Sequence, residues 1–399
     1  MKKKNLLNEI MGVPTVIDFW VQSLSIILVG MAKGIVNNDE IEEGSVNYQN
    51  KEGDKISDTS YRGITRLSGR EINDWVININ SLGDVKGLLD NDNFKKFPLY
   101  QPVITLELVF VPDELYDLMT KGRKNVFIEA SHMLDVEQKS IKKIGSNDVL
   151  TKQHFNFTVT LPVTQLDSLD IDQLRKEIKP TISHELTHAY EVYNRLKVNQ
   201  DPIQGREAIL NLATNLMDDK KYPLWSKFLY LMYLHLSFEI NARITEFYYE
   251  LKEENVETKE QFLDLLKNSK VFEEIKMLED FKAEEFIKAF KLNDFIDQHA
   301  DMSVQYSRNE RDLPIIKSIQ DPKKGMLHLI SGWNTVLQTL NHELDSQGIY
   351  KGKLMDLVPK KAMEDPIYFF KFFEERFHKK AERFKRRLYK VSSLILNKS

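Results

Sequence analysis

The chain has 399 residues, 42% of them hydrophobic, a formal charge of -4 and a pI near 6.2. That is enough apolar material for a sizeable core or two domains, and it gives no basic field to draw the whole protein onto nucleic acid or anionic membrane. The absence of cysteine excludes disulfides and every thiolate metal site, so any metal must be held by histidine and carboxylate.

Residues 1–36 read as an N-terminal helix. The opening MKKK looks like the start of a secretion signal, but Asn8 and Glu9 stand where its apolar core should begin. No signal peptide is expected, which makes the cytoplasm the default location. The apolar run Ser23 to Ala32 is about half the length that crosses a bilayer, so a buried helix opened by Pro14 is expected rather than a span. Residues 37–62 are polar and without periodicity, the pattern of an exposed loop or insert.

From 63 to 200 the texture predicts a strand-rich lobe, with strands at 71–80, 102–111, 125–134 and 154–163. The run PVITLELVFV (102–111) is apolar on both faces, as in a central strand, whereas HFNFTVTLPV (154–163) alternates and ends near Pro162, as at an edge. Residues 201–399 read as an all-helical lobe. The helical segments, beginning inside the first lobe, are 171–198, 203–219, 224–252, 258–290, 320–343 and 366–396. The fold class is therefore α+β, a small mixed or antiparallel sheet followed by helices.

The stretch TISHELTHAYEVYNR (181–195) carries the chemistry. Residues four apart share a helix face, so His184 and His188 can turn imidazole nitrogens toward one ion. Glu185 is about 100° round from His184, within reach of a water on that ion without being a ligand. Ile182, Leu186, Ala189, Tyr193 and Leu196 form an apolar stripe, while His184, His188, Glu191 and Arg195 fall on another face. Pro180 either opens this helix or kinks a longer one beginning near Asp170. Glu191 lies a further turn along and suits support of the site or plain surface.

A catalytic zinc ordinarily has three protein ligands and a position left for water. The third is sought on the helix at 224–252, where an apolar run ends at Glu239. A carboxylate there needs a partner, and a metal is an adequate one. Ala242 lets the helix approach the HELTH segment, and Arg243 can orient the carboxylate or simply pair with it. Glu246 and His235 are rival ligands on the same helix, His235 being better suited to packed core or a supporting role.

HELTHA (184–189) followed by Glu-x-x-Ala (239–242) resembles the gluzincin branch of zinc metallopeptidases, over roughly residues 150–250. The resemblance implies a zincin-like sheet packed on the HExxH helix, zinc held by His184, His188 and Glu239, Glu185 as catalytic base and a polypeptide substrate. It departs from the thermolysin pattern at Asn241, Ala242 and Arg243, where an acidic supporting residue is expected. Tyr248, Arg243 and His328 are candidate donors to the oxyanion. The polar face of 154–163 offers an extended peptide a strand to pair with. A second reading is a noncatalytic protein keeping the same framework for assembly or binding.

The segment 371–399 carries ten Lys or Arg against three Glu, with Phe373, Phe377, Phe384, Leu388, Val391 and Ile395 as a helical stripe. Its simplest reading is a helix docked on the protein's own acidic body. An external acidic partner or nucleic acid is the alternative.

Overall fold

The computed structural model describes residues 15–37, 41–68, 102–120, 126–135, 152–197, 223–235, 237–289, 320–328, 330–331, 334, 361 and 364–396. The strand expected at 71–80 and the helix expected at 203–219 lie outside them. The described elements are mixed α and β, with one five-stranded sheet and mostly helix.

Helix α1 (Thr15–Asn37) is longer than the Ser23–Ala32 run that announces it. By length and composition its residues Ile17–Asn37 could cross a membrane, but 67% of its most apolar stretch is buried inside the protein, and the helix lies on strands β2 and β3. Strands β1 (Ile41–Gln49) and β2 (Lys55–Leu67) pair antiparallel where the sequence reads as a loop. The reason is that β1 buries no residue fully and β2 only Gly63, which has no side chain. The hairpin is held by its backbone ladder, and a strand that buries neither face leaves no alternation to read. Its turn does have a sequence signal: Gly53 sits at φ 91°, and the Asp54 N–H donates to Asn50 Oδ1 at 2.8 Å.

Strand β3 (Pro102–Val111) leads to the short helix α2 (Asp113–Thr120), then β4 (Phe127–Asp135) and β5 (Lys152–Pro162). The order is β1-β2-β3-β5-β4, with β3 and β5 parallel and the other pairs antiparallel. Parallel register sets Ile104, Leu106, Leu108 and Phe110 beside Phe155, Phe157, Val159 and Leu161, and all eight are at most 1% exposed. This is the core face of the sheet. The expectation of an edge at β5 is corrected: β5 lies between β3 and β4, and β4 is the outer strand. Pro162 misleads because it is the last residue of β5, past Thr160, where pairing with β4 ends, so its missing N–H costs no bond to that neighbour.

Helix α3 (Ile171–Lys197) runs unbroken through Pro180, so the longer of the two helices considered is the one formed. It is tied to the outer strand by the Glu177 carboxylate, which accepts the Val126 N–H. The single helices expected at 224–252 and 258–290 are both divided. The first becomes α4 (Pro223–Leu234) and α5 (Ser237–Glu253). The second becomes α6 (Lys259–Asn268), α7 (Lys270–Glu279) and α8 (Ala283–Ala289). Ser269 makes one of these breaks by accepting the Phe272 N–H, as an N-cap does. Residues 322–328 are helical, and α9 (Pro366–Leu396) completes the described chain.

Two compact units emerge. One holds residues 1–194, 241–262 and 393–399, and the other holds 195–240 and 263–392. In the second, Phe228 of α4 is ringed by Phe281, Phe286, Phe369, Phe370, Phe373 and Phe377, all with centroids within 6.0 Å. Phe373 and Phe377 of the expected α9 stripe are thus packed within this unit. Lys371 and Lys385 of the same helix pair with Glu284 and Glu279.

Candidate metal centre

Helices α3 and α5 lie antiparallel, and four polar contacts fix their register. Lys176 pairs with Glu254 at 2.8 Å, Lys179 with Glu253 at 2.7 Å, His184 with Glu246 at 2.9 Å, and Asn241 donates to Glu191. The boundary between the units cuts α5 after Ile240. Glu239 therefore stands on the first turn of a helix whose body belongs to the first unit, and that one continuous helix positions it.

His184, His188 and Glu239 form a group whose ligand atoms all lie within 4.8 Å of one another. His184 is 5% exposed, Glu239 is fully buried and His188 is half-buried. The Nε2 atoms of His184 and His188 are 3.1 Å apart. Two nitrogens each 2.0–2.1 Å from a shared ion at a tetrahedral angle would be about 3.3 Å apart, so the pair is already at ligand spacing. His184 Nδ1 faces Glu246 Oε2. With its Nδ1–H given to that carboxylate, a neutral imidazole presents the Nε2 lone pair to the ion. Arg243 donates from Nη1 to the same Oε2 at 2.8 Å, which holds the Glu246 carboxylate in place. The Glu239 carboxylate accepts the Tyr233 hydroxyl at Oε2 and, with two oxygens, retains capacity for a metal. Two imidazoles and one carboxylate, buried and with one imidazole oriented from behind, suit a divalent cation that accepts nitrogen and oxygen donors.

Of the expected polar side of α3, His184 is buried while His188 and Glu191 are half-buried, and Ser183, Glu185 and Thr187 are buried along with Ile182 and Leu186. Glu185 is 6% exposed, next to His184 in a site shielded from bulk water.

The remaining candidates are placed elsewhere. Glu191 accepts the Asn241 amide and links the two helices. Glu246 backs His184 and is not among the grouped ligand atoms. Arg243 makes an ion pair with Glu246. Tyr248 lies nine residues beyond Glu239, about 13 Å along the helix axis. Its hydroxyl is pushed up by burial and then by the charge of Asp18. His235 packs its ring 6.2 Å from Phe377 and is pushed down to about 3, first by burial and then by Lys380, Arg376 and Arg383. His328 is exposed on the helical segment 322–328.

Two residues not singled out from sequence belong to the surroundings. Tyr233 is six residues before Glu239, a spacing that puts side chains on different faces of a continuous helix. The bond is legible only once the break between α4 and α5 is known. His132 of β4 has a buried Nε2 without a hydrogen-bond partner among the described residues. Burial, and then the charges of His188 and His154, push it down to about 3, so it stays neutral beside the metal group.

The role of Glu246 is testable. For a divalent ion held by His184, His188 and Glu239, Glu246→Gln should weaken binding by about 10–100-fold, the usual cost of removing a partner behind a histidine ligand. Competition with a calibrated chelator measures it; unchanged affinity would deny Glu246 that role. No family model, curated protein or solved structure matches this chain.

Proposed function

We propose that this protein is a zinc-dependent metallopeptidase of the gluzincin type, hydrolysing peptide bonds with Glu185 as general base. The observation that carries the reading is the convergence of His184, His188 and Glu239 on one point, with Glu246 behind His184. Histidine, histidine and glutamate with a position left for water is a recurrent donor set of catalytic zinc. Zinc bound there supplies Lewis acidity, polarising a carbonyl and acidifying water.

The chain's own residues do the rest. Glu185 takes a proton as the water oxygen bonds to the substrate carbonyl carbon. It returns that proton to the leaving nitrogen as the C–N bond breaks, which yields a carboxylic acid and an amine. Burial of Glu185 and His184 keeps bulk water from competing for these transfers. Among the described residues β4 is an outer strand whose free edge could pair with an extended peptide, in place of the polar face of β5. That edge favours a polypeptide substrate over a small ester.

Protein purified without chelators should carry one zinc per chain and cleave an unstructured protein. A strong chelator should abolish cleavage, and stoichiometric zinc should restore it. Elemental analysis showing no bound metal, or cleavage indifferent to chelation, would overturn the proposal and favour the noncatalytic reading.

A further inference from the structure

The oxyanion donors sought in the sequence are occupied or distant. Arg243 Nη1 is bonded to Glu246 at 2.8 Å, Tyr248 stands about 13 Å along α5 from Glu239, and His328 is exposed. Hydrolysis of an amide nevertheless calls for a hydrogen-bond donor at the carbonyl oxygen, which gains negative charge as its carbon turns tetrahedral.

His132 of β4 has an open nitrogen. It pairs across the ladder with Phe155, so both side chains lie on one face of the sheet, with ring centroids 4.9 Å apart. Phe155 is fully buried in the core face, whereas Met133, one residue on, is exposed on the other. The His132 Nε2 is buried too and has no hydrogen-bond partner among the described residues. Buried polar nitrogens are nearly always paired, so one left open raises the question of what docks against it.

Helix α3 sets the answer. Its Glu177 carboxylate accepts the Val126 N–H, which pins the helix to the start of β4. From there the helix climbs about 16 Å to His188, and the strand extends roughly 20 Å to His132. The charge of His188 acts on His132, second only to burial, so the two elements, pinned at one point and of matching length, run side by side to the HELTH segment. His132, Glu185 and His188 all belong to the first unit.

Resting on the peptidase reading, we propose that His132, with its proton on Nε2, is a further catalytic residue that donates a hydrogen bond to the scissile carbonyl oxygen as that oxygen becomes negative. His132 keeps its proton throughout, and the transfers made by Glu185 are unchanged. A neutral imidazole with an open N–H is a preorganised donor, since it gives up no protein partner to act. The free edge of β4 suits an extended peptide, so the strand that sets the substrate's register also supplies the donor. A residue kept for packing alone gains nothing from a buried nitrogen left open.

Two variants of the full-length protein test this role. His132→Phe keeps a ring against Phe155 and removes the donor; His132→Gln restores an N–H. Each is measured for zinc content, for kcat and KM on an unstructured peptide, and calorimetrically for affinity to a phosphinic peptide, whose tetrahedral phosphinate mimics the charged oxygen. His132→Phe should keep one zinc per chain and a KM within about threefold of wild type, while kcat falls about 100- to 1,000-fold, the range for loss of one such donor. Phosphinic peptide affinity should fall by a similar factor, and His132→Gln should recover at least tenfold of both losses. Loss of zinc in His132→Phe would make the residue a support for the ligands and overturn the proposal. So would a kcat within threefold of wild type, or a glutamine variant no better than the phenylalanine one. A wild type that binds no zinc and cleaves nothing would sink the peptidase reading and this role together, whereas an active wild type with an unimpaired His132→Phe would sink this role alone. Circular dichroism of each variant verifies that the fold is kept.

Discussion

Glu185→Gln is expected to lower kcat for peptide hydrolysis by about 100- to 10,000-fold, the range lost when a positioned general base is removed. Zinc content should stay at one per chain. The amide keeps the shape of the side chain, and Glu185 lies outside the group formed by His184, His188 and Glu239. KM should change little, because the residue acts on the proton of the attacking water and the substrate has its own contacts. The pairing of the two readouts gives the test its force. Activity lost together with zinc would make Glu185 a structural support for the ligands. Activity retained with zinc in place would mean that another base serves, and the assignment built on HELTH would fail.

The placement of that base depends on how α3 and α5 are locked. Four polar contacts from Lys176 to Glu191 run down one helix and up the other. Ala189 of α3 and Ala242 of α5 are both fully buried.

Much of this was legible from spacing. The i, i+4 histidines and the adjacent glutamate need only a helix, and the apolar positions of 171–198 predict one. The apolar run ending at Glu239 signalled a buried carboxylate, and Glu239 is fully buried. What was not legible has specific causes. The hairpin β1–β2 buries almost no side chain, so it lacks the alternation that marks a strand. The break between α4 and α5 has no proline or glycine; Ser237, a residue that favours helix starts, is its one local sign. Without that break Tyr233 and Glu239 belong on different faces. Glu246 was visible at seven residues from Glu239, and so on the same face. Whether it ligates a metal or backs a histidine is decided by its 2.9 Å approach to Nδ1, a tertiary fact.

Glu239→Gln should abolish the zinc dependence of stability, and this second variant separates a ligand from a supporting residue. At free zinc 100 times its dissociation constant, the wild type should gain about 2.7 kcal/mol of stability, visible as a rise in Tm. Glutamine keeps an oxygen for the Tyr233 hydroxyl, so the metal-free fold survives. It lacks the negative charge that makes carboxylate a good ligand, and the stabilisation at the same zinc concentration should vanish. The loss of affinity should exceed about 100-fold, beyond the 10–100-fold range for Glu246→Gln. Ordering is the sensitive point. If Glu246→Gln proves more damaging than Glu239→Gln, then Glu246 and not Glu239 is the third ligand. If neither variant alters the thermal shift, the ion is not held by α5, and two histidines on α3 are left to bind it with partners from another element.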